Sequence, residues 1–278
     1  LQKIKKDLFV HPFYRMIGLI FGDTDLPKQI LKKIKKEKIK YFIIDLSKNK
    51  SFKKDQNSQS IAIGQFSKIF EIFRINKCDK VLFAGKINKP KFSSLKMDLK
   101  GFYYLPRIIK AAKLGDAAIL KSIISILGKE KIKVISSITY NPELALSRGT
   151  YTKVKPNKND IVSIVKGIKS LGKLSPYNHI QGLVIKGNNI ISKETSKGTK
   201  KMLQLINKNR KSKGILIKYP KKKQDLRLDL PTIGLDTLKD CKKAGIRGIV
   251  LKSKKNIFMN KSKSINFANK NKMFIKVL

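Results

Sequence analysis

Ile17-Gly18-Leu19-Ile20-Phe21 is a short strand without a polar residue, and Gly22-Asp23-Thr24-Asp25 turns the chain after it. Leu26, Ile30, Leu31 and Ile34 then recur at the spacing of a helix, and Ile39 to Ile44 returns as a second apolar strand. Strand, turn, helix and strand in that order open a parallel α/β unit, because a parallel neighbour is reached only by a crossover long enough to hold a helix. The pattern continues with a short strand near Ser60–Ile63, a helix over Phe66–Asn76 and the strand Val81-Leu82-Phe83-Ala84-Gly85. Pro106 is expected to start a helix over Arg107–Lys113 and Asp116 a second one through Leu127, before Ile132 to Ile138 returns as a strand. Short strands this apolar imply a sheet covered on both faces. The first turn lacks Gly-x-Gly-x-x-Gly, which disfavours a nicotinamide dinucleotide. Asp23 and Asp25 read as turn and helix-capping residues, with a ligand-facing role as the alternative.

Pro142, Gly149, Thr152 and Pro156 interrupt any sustained period between Asn141 and Asn159. Beyond them Asp160 is expected to cap a helix carrying Ile161, Ile164, Val165 and Ile168. Gly187-Asn188 should turn a hairpin between Gly182-Leu183-Val184-Ile185 and Asn189-Ile190-Ile191. Helices over Lys200–Asn207 and Thr237–Lys243 and strands near Gly214–Ile217, Ile249–Leu251, Ile257–Met259 and Met273–Val277 follow. The 278 residues thus divide into an N-terminal α/β domain over 1–145, a linker over 146–158 and a smaller C-terminal α/β domain over 159–278.

The chain carries 64 Lys plus Arg against 18 Asp plus Glu, a formal charge of +46. Arginine is scarce, and the lysines are spread over both halves among Asn, Ser and Ile. A nucleic-acid surface would use more Arg with aromatics beside it, so no dedicated nucleic-acid partner is expected. A field of this sign suits an anionic bilayer surface or a phosphorylated substrate, neither of which needs specific geometry. Cys78 and Cys241 stand far apart, and His11 and His179 are the only histidines, which leaves little room for a disulfide framework or a zinc cluster. No apolar run reaches membrane-spanning length and Leu1 to Arg15 is too charged for a secretory signal, so a cytoplasmic protein is expected.

Asp225-Leu226-Arg227-Leu228-Asp229-Leu230 alternates polar and apolar residues. As a strand it would put Asp225, Arg227 and Asp229 on one face and the leucines behind, with Pro231 ending it. Two carboxylates flanking a guanidinium are parts for phosphoryl chemistry: the acids hold a divalent cation or orient water, and Arg227 grips an anionic oxygen. A purely structural ion-pair ladder fits the same pattern.

The run extends from Gln224 to Gly234. It is accompanied by Gly18 to Pro27, Ile63 to Phe70, Phe83 to Ile87, Lys89 to Phe92, Pro106 to Leu120, Gln181-Gly182, Gly198-Thr199, Met202-Leu203 and Ala244 to Ile249. Together these stretches resemble the UDP-2,3-diacylglucosamine pyrophosphatase family of lipid A biosynthesis, the type unrelated to metallophosphoesterases. The resemblance implies an N-terminal Rossmann-like domain with a parallel sheet and a distinct C-terminal catalytic α/β domain, with the lipid nucleotide between them. It implies hydrolysis of UDP-2,3-diacylglucosamine to UMP and 2,3-diacylglucosamine 1-phosphate with Mg²⁺ or Mn²⁺. Asp229 matches the essential acid of the family's Arg-x-Asp-Leu-Pro motif, with Arg227 and Asp225 as catalytic neighbours. The metal is expected on Asp229, Asp225 and Glu194. Substrate contacts are expected at Gly22, Gln65, Phe66, Lys86, Lys89, Pro90, Gln181, Thr199 and Thr232. The expected partners are a lipid-linked UDP-sugar and, peripherally, the anionic inner-membrane surface, with a homodimer left open.

Some positions depart from the family's pattern. Phe21 and Asp23 to Asp25 stand in place of a glycine-rich turn, and Ala117 where a second acid after Gly115-Asp116 is common. Lys197, Lys200 and Lys252 occupy positions that resemble family acids, and lysines beside a metal would reverse the local field. Two readings stand: an active hydrolase whose Asp225-to-Gly234 run carries the chemistry, and a weakened relative that binds a lipid nucleotide or an anionic membrane surface.

Overall fold

In the computed structural model, which describes residues 15–87, 95–174, 180–208, 214–221 and 224–278, the five residues Ile17–Phe21 form β1 and are all buried. The chain divides into two units, Leu1–Tyr140 and Asn141–Leu278. In the first, α1 (Asp25–Lys36) buries Leu26, Ile30 and Ile34, one side chain per turn on a single face. β2 (Tyr41–Asp45), β3 (Ser58–Ser60), β4 (Lys80–Ala84) and β5 (Lys133–Ile135) complete a sheet of order β3-β2-β1-β4-β5. Every pairing in it is parallel. The order reverses between β1 and β4, as in a Rossmann-like sheet. Backbone closes that point: Asp23 N–H donates to Lys86 O at 2.8 Å and Lys86 N–H to Asp23 O at 2.7 Å. Gly85 permits the approach, with φ +89° and space for a Cβ only 2.5 Å from the Asp23 carbonyl oxygen.

α2 (Phe66–Ile75), α3 (Leu99–Leu114) and α4 (Asp116–Lys129) complete this unit. Two expectations change here. Pro106 does not start a helix but lies inside α3, whose N-cap is Asp98; the Asp98 side chain accepts the Gly101 N–H at 2.9 Å and the Lys68 N–H at 3.1 Å. An interior proline costs about 3 kcal/mol relative to alanine, and burial of Gly101, Tyr104 and Ala111 holds the helix against it. Asp23 and Asp25 do not cap α1: Thr24 is its N-cap, without a side-chain hydrogen bond. Asp23 instead accepts the Lys48 N–H at 3.2 Å, and Asp25 pairs with Lys28 at 3.5 Å.

The second unit contains β6 (Gly149–Thr150), α5 (Lys158–Lys173), β7 (Gly182–Lys186), β8 (Asn189–Lys193), α6 (Gly198–Lys208) and β9 (Ile215–Lys218). β10 (Thr232–Ile233), α7 (Leu235–Lys243), β11 (Gly248–Leu251), β12 (Ile257–Phe258), α8 (Lys261–Lys270) and β13 (Phe274–Val277) follow. The main sheet runs β6-β13-β11-β9-β7-β8, with β13, β11 and β9 parallel and the others antiparallel to their neighbours; β10 and β12 pair separately. Val184, Leu216, Ile249 and Ile275 pack with Leu203 of α6, Leu238 of α7 and Ala268 of α8. The alternate residues Leu183, Ile185, Ile215, Ile217 and Val250 pack with Ile164 of α5. Covering both faces explains why these strands read as unbroken apolar runs. The cap of α5 is Asn157 rather than Asp160; each side chain accepts the other's N–H at 2.8 Å, a reciprocal capping box. Residues 146–158, read as a linker, lie within this unit: Leu146 is in its core, and Thr150 pairs with Lys276 of β13.

Candidate active site

The carboxyl ends of the parallel strands β9 and β11 stand side by side, Lys218 opposite Leu251, and β7 begins at the same edge with Gly182 opposite Lys218. Ligands of α/β sheets gather outside such ends. The β7–β8 hairpin returns Glu194 to this edge, where its N–H donates to Gly182 O at 2.9 Å.

Lys218 and Glu194 form a buried pair, each side chain 6% exposed. Lys218 Nζ donates to Glu194 Oε1 at 2.7 Å, to Oε2 at 2.8 Å and to Thr199 Oγ1 at 2.8 Å. The Thr199 hydroxyl donates to Oε1 at 2.7 Å and the Gln181 backbone N–H to Oε2 at 3.0 Å, so both carboxylate oxygens are satisfied. Gly182 leaves the space: a Cβ there would stand 3.2 Å from Lys218 Cδ and 3.4 Å from Glu194 Oε2. Burial draws the Lys218 pKa below the ordinary lysine value, against the opposing pull of Glu194.

Asp225–Leu230 is not the expected strand. Leu226, Arg227 and Leu228 form a turn in which Asp225 O accepts the N–H groups of Leu228 at 3.2 Å and Asp229 at 3.1 Å. The cause is local: Asp225 Oδ1 accepts the Arg227 N–H at 3.0 Å, a side-chain turn that competes with extended pairing. Asp225 then holds the guanidinium in a fork, from Nε to Oδ1 at 3.0 Å and from Nη2 to Oδ2 at 2.7 Å. The three polar side chains therefore do not share one strand face.

Asp229 is held differently. Gln224 Nε2 donates to its Oδ2 at 2.6 Å and to its backbone oxygen at 2.9 Å. Gln224 is itself fixed, since its Oε1 accepts the Lys221 N–H at 2.9 Å and Gln181 Nε2 at 3.1 Å. Gln181 Nε2 also lies 3.5 Å from Asp229 Oδ2, at the limit of a hydrogen bond. Oδ1 accepts no hydrogen bond from the described residues. Burial holds the Asp229 carboxyl above the usual carboxylate range, while Lys221, the two amides and Lys218 pull it back.

Thus Gln181, Thr199 and Glu194 join one network, Asp225 and Arg227 a surface pair, and Asp229 a pocket of amides. Thr232 opens β10, and its hydroxyl donates to Leu230 O at 3.1 Å. Gly22, Gln65, Phe66 and Lys86 lie in the first unit: Gly22 and Lys86 in the closure between β1 and β4, Gln65 as the N-cap of α2, and Phe66 beside the Tyr104 ring at 5.8 Å. Lys89 and Pro90 fall outside the described residues. Lys197 and Lys200 are exposed, and Lys252 lies over the Tyr219 ring at 5.5 Å.

Among the described residues no three His, Cys, Asp or Glu side chains converge as a ready-made metal cluster. Of the three acids expected to bind metal, Glu194 and Asp225 have both oxygens engaged by a cation, and Asp229 alone keeps one oxygen without a donor among the described residues. Asp229 by itself suits Mg²⁺ only in the mode where one or two carboxylates are completed by substrate phosphates and water. Lys218, Lys221 and Gln224 join these acids although no motif in the sequence marks them for a role. The Lys218 signal was present, a single lysine ending the apolar run Ile215-Leu216-Ile217.

Residues 16–144 match the LpxI N-terminal domain family and residues 147–276 the LpxI C-terminal domain family. The chain is 31% identical over 245 residues, 85% of its own length and 88% of its relative's, to the Caulobacter vibrioides protein named UDP-2,3-diacylglucosamine pyrophosphatase LpxI. On both grounds, the chain belongs to the LpxI family.

Proposed function

We propose that this chain hydrolyses the pyrophosphate bond of UDP-2,3-diacylglucosamine, giving UMP and 2,3-diacylglucosamine 1-phosphate, with Asp229 as the central carboxylate. Family membership supports the reaction. The observation that carries the residue assignment is Asp229 itself, fixed by amides on one oxygen and, among the described residues, given no donor on the other. Gln224 and Gln181 orient it without neutralising it, so its charge remains available for a cation or an attacking water. Arg227 keeps Nη1 outside its fork with Asp225, and that donor can grip a diphosphate oxygen. Lys221, whose charge is felt at Asp229, adds positive field for the same oxygens. Asp229 is the residue that would hold Mg²⁺, which when bound would neutralise phosphate charge during displacement.

The test is UMP release by purified protein from detergent-dispersed substrate, with and without Mg²⁺. Turnover that requires the ion supports the whole reading. Turnover indifferent to chelators removes the metal and leaves the hydrolase. Binding of the lipid nucleotide without any UMP release favours instead a family member that has kept the ligand and lost the reaction.

A further inference from the structure

α3 exposes the wrong kind of side chain. Leu99 is 87% exposed, Phe102 60%, Tyr103 73% and Leu114 78%. Among the described residues no other large hydrophobic is as open as Leu99, Leu114 and Tyr103. They share one outward face with Pro106, Arg107, Lys110 and Lys113, all exposed and spaced by three or four residues, while Tyr104 and Ala111 face the core. The first turns of that face are apolar, and the later ones carry the cations before ending on Leu114. No acidic residue occurs anywhere in α3.

We propose that this face docks the protein on an anionic lipid bilayer, with Leu99, Phe102 and Tyr103 entering the boundary between headgroups and acyl chains. Arg107, Lys110 and Lys113 then meet lipid phosphates. An amphipathic helix with aromatic and aliphatic residues beside Lys and Arg binds in the plane of a membrane interface. Charge selects this occupant: the surface is positive within a chain of formal charge +46, and anionic lipid complements it. A second copy would bring its own Arg107, Lys110 and Lys113 against like charges. Among the described residues no helix is long and apolar enough to cross a membrane, so docking is the contact α3 can make.

The experiment is co-sedimentation with vesicles of phosphatidylglycerol and phosphatidylethanolamine, with phosphatidylcholine vesicles beside them. Wild type should prefer the anionic vesicles and keep part of its binding at high salt, because the apolar contribution is not screened. The L99S/F102S/Y103S variant, shown folded by an unchanged melting curve, should bind at least tenfold more weakly and lose the remainder in salt. Lys110→Glu/Lys113→Glu should lose the preference for anionic lipid. Vesicle binding is read without substrate, and UMP release from detergent-dispersed substrate should be equal in all variants, so failure here leaves the hydrolase reading standing. Wild-type protein that ignores anionic vesicles overturns the proposal, as does a serine variant that binds like wild type. A wild-type dimer that becomes monomeric in the serine variant, with vesicle binding unchanged, overturns it in favour of a protein interface.

Discussion

Glu194 and Asp229 both receive hydrogen bonds from Gln181, one from its backbone and one from its side chain, yet their surroundings treat them in opposite ways. Glu194 is closed by a lysine on both oxygens, with a hydroxyl and a backbone N–H completing the shell. Among the described residues, Asp229 has amides on one oxygen, lysines acting only through their field, and no donor on the other oxygen. A carboxylate matched by a buried cation has its charge largely balanced already, and these contacts tie the end of β8 to β9 and to the start of β7. A carboxylate oriented by neutral amides keeps its charge and its high energy. Placing the two side by side separates a structural acid from a reactive one.

Glu194→Gln should give the largest loss of stability. It leaves the Lys218 ammonium buried without a counter-charge, a change that costs about 3–5 kcal/mol in comparable pairs, and urea unfolding would measure it. A variant as stable as wild type would place Glu194 outside the structural class. Gln224→Met comes next. It removes the donor from Asp229 Oδ2 and the acceptor from the Lys221 N–H, a loss of about 1–3 kcal/mol. Losing that donor also raises the Asp229 pKa further, so the acidic limb of kcat/KM should move to higher pH. An unmoved limb would mean that Asp229 does not govern it.

The smallest effect runs the other way. The native pKa of Asp229 is raised by burial, so the fold favours its neutral form. That stabilisation is present below the ordinary carboxylate range and is lost as pH rises through the native pKa. Asp229→Asn should therefore stabilise the protein at neutral pH, by about 0.5–2 kcal/mol, and the gain should vanish in acid. Melting curves at the two pH values test the sign. A neutral-pH loss would mean that the ionised carboxylate is better solvated than its burial implies.

The parallel sheet of the first unit was legible because β1 and α1 announce themselves by period alone, five apolar residues and then Leu26, Ile30 and Ile34. The helix through Pro106 was not, because its start depends on Asp98 and on the Lys68 N–H it accepts, a partner distant in sequence. Asp225 to Leu230 misled for a physical reason. Six alternating residues carry the same pattern as a strand or as a turn, and Asp225 decides between them through a side-chain hydrogen bond to Arg227. Asp229 was legible as a residue type in a motif, whereas its difference from Glu194 was not. That difference rests on Lys218 and Gln224, brought to the two acids by strands β7 and β9 and by the turn.

The most direct measurement is kcat for Asp229→Asn beside Asp236→Asn. Asp236 has a 97% exposed side chain and only a loose pair with Lys239 at 3.7 Å, so its loss should leave turnover unchanged. Asp229→Asn keeps the shape and the Gln224 hydrogen bond while removing the charge. Its kcat should fall at least about a hundredfold, or roughly 2.7 kcal/mol of transition-state stabilisation, in a protein that stays folded and still binds the lipid nucleotide. A kcat within about twofold of wild type, a barrier change of under about 0.5 kcal/mol, would contradict the assignment of Asp229 as the reactive acid.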